Sequence, residues 1–194
     1  MGKGAQTRES ILRQAADLSS TLGLEGLSIG VLAKEAGLSK SGLYAHFRSK
    51  EQLQRAVLDA TAERFIDVVI SPALKQPRGR PRLQALFDRW LHWEESVFSG
   101  GCVFMAASVE FDDRPGAVRD SLRGHLRDLL GAVERAASIA VSEGHLAAEL
   151  DTAQFAFDFW SLLLGYQSYS RLLDDADARA RAESAFANLL RRNG

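Results

Sequence analysis

Apolar residues recur at helical spacing along almost the whole chain, and no sustained alternation of apolar and polar residues interrupts them. That pattern excludes a half-buried sheet and predicts an all-α fold of about nine helices. Four prolines in 194 residues leave the helical stretches unbroken. The chain is long enough for a real core, as one domain or two small ones.

Caps and breakers set the expected boundaries. A first helix over Thr7–Leu22 presents Ile11, Ala15, Leu18 and Leu22 on one face, with Thr7 as its N-cap. Gly23 and Gly26 interrupt the chain. Ser28 caps a short helix whose inner face is Ile29, Leu32, Ala33 and Ala36, and Gly37 ends it in the left-handed conformation that glycine favours. Ser39 caps a third helix through His46. Ser49 and Gln52 have the spacing of a capping box and open a longer helix that Ser71-Pro72 should stop. The turn QPRGRP (76–81) leads into a helix over 82–98, and Gly100-Gly101 precedes one over 102–111. After Asp112–Gly116 a long amphipathic helix carries Leu122, Leu126, Leu129, Val133, Ala136 and Ala140 towards Gly144. Asp151 and Gln154 open an eighth helix, and a ninth covers about Asp177–Leu190.

Charge is unevenly spread. Residues 1–50 hold seven Lys/Arg and four Asp/Glu, a net of +3, while the remaining 144 hold 17 and 21, a net of −4. A basic head on an acidic body suits an anion-binding module joined to a different function. The single cysteine, Cys102, excludes an intrachain disulfide, and it reads as inert packing sooner than as a thiol sensor. The N-terminus lacks the apolar stretch of a signal peptide and no run has the length of a membrane span, so the expected compartment is cytoplasmic and no membrane partner is expected. His46, His92, His125 and His145 are scattered without ligand spacing, so no metal is expected. Without a Gly-rich phosphate loop or nucleophile motif, no cofactor and no enzyme activity are expected either.

The most informative stretch is LSIGVLAKEAGLSKSGLYAHFRSKEQL (27–53). Two short capped helices around a glycine turn make a helix-turn-helix. Leu38, Leu43 and Phe47 form the apolar side of its second helix. Ser39, Lys40, Ser41, Gly42, Tyr44 and His46 form the other side, which is small, polar or basic and compatible with a major groove.

The run from Thr7 to about Val57, with T-R-x-x-I-L-x-x-A and then L-A-x-x-A-G-L-S-x-S-x-L-Y-x-H-F-x-S-K-x-x-L, resembles the TetR family of repressors. Residues 100–120 resemble the regulatory domain of some members. The resemblance implies a three-helix DNA-binding head, residues 1–50, on a helical effector-binding and dimerisation domain, residues 51–194. It implies phosphate contacts at Tyr44, His46 and Lys50, with a further phosphate hydrogen bond from Ser28. Ser39, Lys40, Ser41 and Gly42 fall where members touch base edges, and Lys40 suits guanine O6/N7. Gly30 departs from members that place a long base-reading side chain there. The implied partners are a double-stranded DNA operator, a second copy of the chain and an unidentified small effector.

The eighth helix is apolar nearly all round and must be buried on two sides. Phe155, Phe159, Leu162 and Tyr166, with Phe186 and Leu189 from the ninth, are the candidate dimer surface, and a four-helix bundle from two chains is the economical arrangement. Trp90, Trp93, Phe104, Met105 and Trp160 could line an apolar effector pocket or simply fill the core. His92, Glu94, Glu95 and Glu110 are candidate polar anchors. Two rivals remain: a helical ligand-binding protein with an idle head, and an all-α enzyme.

Overall fold

The computed structural model describes residues 3–194, with side chains from Arg8 onward. The fold is all-α. Among the described residues the nine helices longer than one turn are α1 (Lys3–Leu22), α2 (Ile29–Glu35), α3 (Lys40–His46), α4 (Lys50–Phe65), α5 (Arg80–Ser96), α6 (Val103–Glu110), α7 (Ala117–Ser142), α8 (Thr152–Gln167) and α9 (Ala178–Arg192). A π-helical turn, Ile66–Ile70, and a last α turn, Ser71–Leu74, follow α4; a second π turn, Ser168–Leu172, follows α8. No described helix is long and apolar enough to cross a membrane.

Several boundaries differ from the sequence expectation. α1 starts at Lys3, so Thr7 is interior rather than an N-cap. Its buried face is Ile11, Leu12, Ala15, Ala16 and Ser19; Leu18 is half-buried and Leu22 is 52% exposed. Ser19 tolerates burial because its hydroxyl donates to the Ala15 carbonyl at 2.8 Å. Ser71-Pro72 does not stop the helical run. Pro72 sits in the first turn after the π segment, where its missing N–H costs nothing.

The chain forms two compact units. The first joins the residues through Phe65 to Ser96–Leu126; the second joins Ile66–Glu95 to Arg127–Gly194. In the first, α1 packs on α4 and α2 on α3, around Leu24, Leu27, Leu32, Leu43, Phe47, Leu53 and Val57, each at most 1% exposed. The 98–101 turn fastens to α1: the Asp17 carboxylate accepts from the Ser99 amide at 2.8 Å, and the Ser20 hydroxyl accepts from the Gly100 amide at 2.8 Å.

An aromatic cluster organises the second unit. Phe87 of α5 stacks on Phe186 of α9 at 4.2 Å between centroids, and Phe159 of α8 meets both rings edge-on at 5.7 and 5.6 Å. Trp90 lies 5.7 Å from Phe159 and 5.8 Å from Trp160. Rings in such edge and offset contacts contribute beyond their buried area.

Candidate nucleic-acid interface

Local capping builds the site. The Ser28 hydroxyl accepts from the Val31 amide at 3.1 Å and starts α2. At its other end the Leu38 amide donates to the Ala33 carbonyl at 2.9 Å and the Gly37 amide to the Lys34 carbonyl at 3.4 Å, with Gly37 at φ +64°. These two bonds form a Schellman closure, which needs the left-handed residue that glycine supplies. The turn to α3 is therefore fixed by local hydrogen bonds.

The Ser39 hydroxyl then accepts from the Gly42 amide at 3.1 Å and starts α3. α3 buries Leu43, and Phe47 just beyond it is 1% exposed. Ser39, Lys40, Ser41, Gly42 and Tyr44 are exposed together, with Tyr44 at 54%. His46 is half-buried, 6.1 Å from the Phe47 ring. At the next junction the Ser49 hydroxyl accepts from the Gln52 amide at 3.1 Å, and the Gln52 side-chain oxygen accepts from the Arg48 amide at 3.1 Å. This is the capping box read from the sequence, with its return bond one residue earlier than the N-cap amide.

Lys50 is engaged in an ion pair. Its ammonium donates to Glu25 Oε1 at 2.9 Å, and the Arg114 guanidinium lies 3.4 Å from the same oxygen. The Lys50 hydrogen bond, with the charges of Lys50 and Arg114 and a Gln54 contact, holds the Glu25 carboxyl below the usual carboxylate range. Glu110 at the end of α6 accepts from the Glu25 amide at 2.8 Å, and Gln54 donates to the Leu24 carbonyl at 2.8 Å. The cluster joins the α1–α2 turn to α4, α6 and the segment before α7. Gly23 makes it possible: at φ +79°, a Cβ there would lie 2.1 Å from a Glu110 carboxylate oxygen. Sequence reading missed Glu25, Gln54 and Arg114 as partners of this site. Glu110 is some 85 positions from Glu25 in sequence, so no local spacing signals the contact. Arg8, also missed, lies over the Phe47 ring at 5.5 Å.

The candidate effector residues do not gather in one unit. Trp90, Trp93 and Trp160 lie in the second and Phe104 and Met105 in the first. The first four of Trp90, Trp93, Phe104, Met105 and Trp160 are at most 1% exposed and Trp160 is half-buried. The candidate anchors also divide. Glu110 binds the Glu25 amide, and Glu95 accepts from the Tyr166 hydroxyl at 2.7 Å and pairs with Arg179 at 2.7 Å. Burial and the Glu95 charge push the Tyr166 phenol up. Cys102 is 1% exposed.

On α8 and α9, Phe155, Phe159, Tyr166, Phe186 and Leu189 are buried in the chain's own unit, and Leu162 is half-buried. The outward face carries other residues: Phe157 is 64% exposed, Tyr169 47% and Leu172 80%. Two adjoining grooves there, of about 610 and 320 Å³, share Ser161, Leu162 and Ala185.

The chain resembles known proteins in both its N-terminal and its C-terminal parts. Residues 11–57 match the family model described as bacterial regulatory proteins, tetR family, and residues 79–186 match the tetracyclin repressor-like C-terminal domain. A 61-residue stretch, 31% of this chain, is 39% identical to the class C tetracycline repressor protein of Escherichia coli; it covers only 26% of that relative's length. A TetR transcriptional regulator from Chloroflexus aurantiacus J-10-FL superposes with a TM-score of 0.85 at 27% identity, over 98% of this chain and 95% of that one. AibR, solved with isovaleryl coenzyme A and operator DNA, superposes with a TM-score of 0.70 at 25% identity, over 90% of this chain and 96% of that one. With a family model covering 79–186, more than half the sequence, and a second on the helix-turn-helix, the chain belongs to the TetR family of DNA-binding transcriptional regulators.

Proposed function

We propose that the protein is a homodimeric repressor that leaves a pseudo-palindromic operator when a small apolar or amphipathic effector binds. The observation that carries this reading is the exposed row Ser39, Lys40, Ser41, Gly42 and Tyr44 on a short helix whose other side is anchored by Leu43 and Phe47. A rigid helix with an uncovered polar and basic face suits a major groove. In this reading residues 1–50 read DNA and residues 51–194 bind the effector and the second copy.

Tyr44, His46 and Lys50 contact phosphates, with Ser28 adding a hydrogen bond. Ser39, Lys40, Ser41 and Gly42 approach base edges. Lys50 reaches a phosphate by exchanging its Glu25 partner. That exchange is cheap, because the ion pair is about 40% exposed on both sides (41% and 42%), and such pairs contribute about 1 kcal/mol or less. One head is small, so two heads on half-sites about one helical turn apart, or a multiple of that, supply specificity.

The dimer face is the outward side of α8 and α9, centred on Leu162, Ala185 and exposed Phe157. Phe155, Phe159 and Phe186 act beneath it as support. AibR was solved with both a small acyl coenzyme A and operator DNA, which favours effector control here. The effector's polar anchors and apolar lining come from the 51–194 region. The protein acts as a cytoplasmic regulator and not as an enzyme.

The test is to select operators from a random duplex pool and titrate the best by fluorescence anisotropy at several salt concentrations. Wild type should select a pseudo-palindrome with a steep salt dependence. Lys50→Ala should weaken binding on every sequence and lower the salt slope by about 1. Enrichment of no duplex, with weak binding at low salt, would show an idle head and leave ligand binding as the function.

A further inference from the structure

We infer that Gly30 and Lys40 form one specificity-determining pair: the missing side chain at Gly30 leaves open the space beside the end of the Lys40 side chain, so Lys40 reads the base pair facing the first turn of α2. This inference rests on the DNA-reading assignment of the head.

A Cβ built at Gly30 would lie 3.8 Å from Lys40 Cε, 3.9 Å from Lys40 Nζ and 3.8 Å from the Ser28 hydroxyl. The Lys40 side chain therefore leans back from α3 over α2, instead of extending straight out. The two other lysines on or beside these helices are engaged elsewhere: Lys34 is paired with Glu35 at 3.8 Å and Lys50 with Glu25 at 2.9 Å. Lys40 makes none of the described ion pairs and is exposed, so its ammonium is available for an acceptor on DNA. Gly30 has no left-handed φ, and it sits inside a helix, where glycine weakens the helix relative to alanine. Nothing in the backbone requires glycine there. What its absent side chain provides is room, bordered by the end of the Lys40 side chain and the Ser28 hydroxyl.

The chemistry follows from the donor. An ammonium carries three rotatable N–H donors and no acceptor. Guanine O6 and N7 are paired acceptors on the major-groove edge. With its end beside the open position at Gly30, the Lys40 ammonium faces the base pair opposite the start of α2. A long side chain at position 30 would occupy that volume and turn Lys40 away.

The experiment compares base preference at every position of the selected operator for wild type, Lys40→Ala, Gly30→Leu and the Gly30→Leu/Lys40→Ala double variant, with Lys34→Ala as a control on the same helix. Folding of each is checked by helical circular dichroism, and Gly30→Gln serves in place of Gly30→Leu if the latter does not fold. The expected result is loss of preference for guanine, roughly 5- to 150-fold, at one and the same base pair in Lys40→Ala and Gly30→Leu. The double variant should lose no more than either single one, and Lys34→Ala should keep the wild-type preference. Changes at different base pairs, or losses that simply add, would overturn the pair while leaving the head a DNA reader. A wild-type chain that selects no duplex would refute both the pair and the reading beneath it.

Discussion

Replacing Gly100 by alanine adds one methyl group, and the structure says where it goes. A Cβ at Gly100 would fall 1.9 Å from the Ser20 carbonyl oxygen, 2.1 Å from its carbon and 2.6 Å from the Thr21 nitrogen. All three are backbone atoms of α1, so no side chain can swing aside. The methyl lies more than an ångström inside the closest approach that real Cβ atoms make, and the 98–101 turn must lift off the helix. Lifting it strains the 2.8 Å bond from the Gly100 amide to Ser20 and the Ser99–Asp17 contact beside it. Overpacking costs about 1–3 kcal/mol, and one lost hydrogen bond adds about 0.5–1.5 kcal/mol. The expected destabilisation is about 2–4 kcal/mol, a fall in Tm of roughly 4–16 °C for a chain of this size. Gly124→Ala is the matched comparison. Gly124 is exposed within α7 and a Cβ there meets nothing within 4 Å. The same chemical change should stabilise by about 0.4–1 kcal/mol through helix propensity and a stiffer unfolded chain. Thermal melts followed by circular dichroism, at one protein concentration, measure both. Equal melting temperatures for Gly100→Ala and wild type would refute the close approach of the turn to α1.

Two further outcomes are expected. The Glu25 carboxyl is held below its ordinary value in the folded chain, so its contribution is complete above about pH 4.5 and fades as pH falls through the depressed folded value. With the side chain 42% exposed, that contribution is below about 1 kcal/mol. Wild type should therefore melt slightly above Glu25→Gln at pH 7, with the gap closing towards pH 3; a gap independent of pH would contradict the ion-pair network. If the proposed dimer uses this face, Phe157→Glu should convert it to folded monomers in sedimentation velocity, because the side chain is 64% exposed in the single chain and a charge there would be desolvated only against a partner. An unchanged sedimentation coefficient would move the dimer face elsewhere.

Much of the head was legible from local chemistry. Ser28, Ser39 and Ser49 cap the helices that their sequence context indicated, and Gly37 closes α2, because each works through atoms three to five residues away. The same locality gives α3 an anchored side at Leu43 and Phe47 and an exposed one at Lys40 and Tyr44, as its residue pattern indicates. The apolar wrapping of α8 likewise predicts burial of its aromatic stripe, and Phe155, Phe159 and Tyr166 are buried.

Which residue serves which surface depended on tertiary packing. Phe155 and Phe159 look no different in sequence from Phe157, yet Phe155 and Phe159 are buried and Phe157 faces out. The choice is made by where Phe87 and Phe186 stand around α8. Helical period gives the stripes but not their azimuth relative to neighbours. Lys50 shows the same limit. Its place at the start of α4 was plain, but its Glu25 partner and the reach of Glu110 and Arg114 to that turn come from contacts spanning 25 to 89 positions. Sequence alone determined the order of the helices, the caps at Ser28, Ser39 and Ser49, and through the motif of residues 7–57 the family, because caps and periodicity rest on short-range hydrogen bonds. Only the tertiary structure decided which faces are spent in the core, how the Glu25 cluster closes and where Lys40 lies, because those follow from packing between segments far apart in the chain.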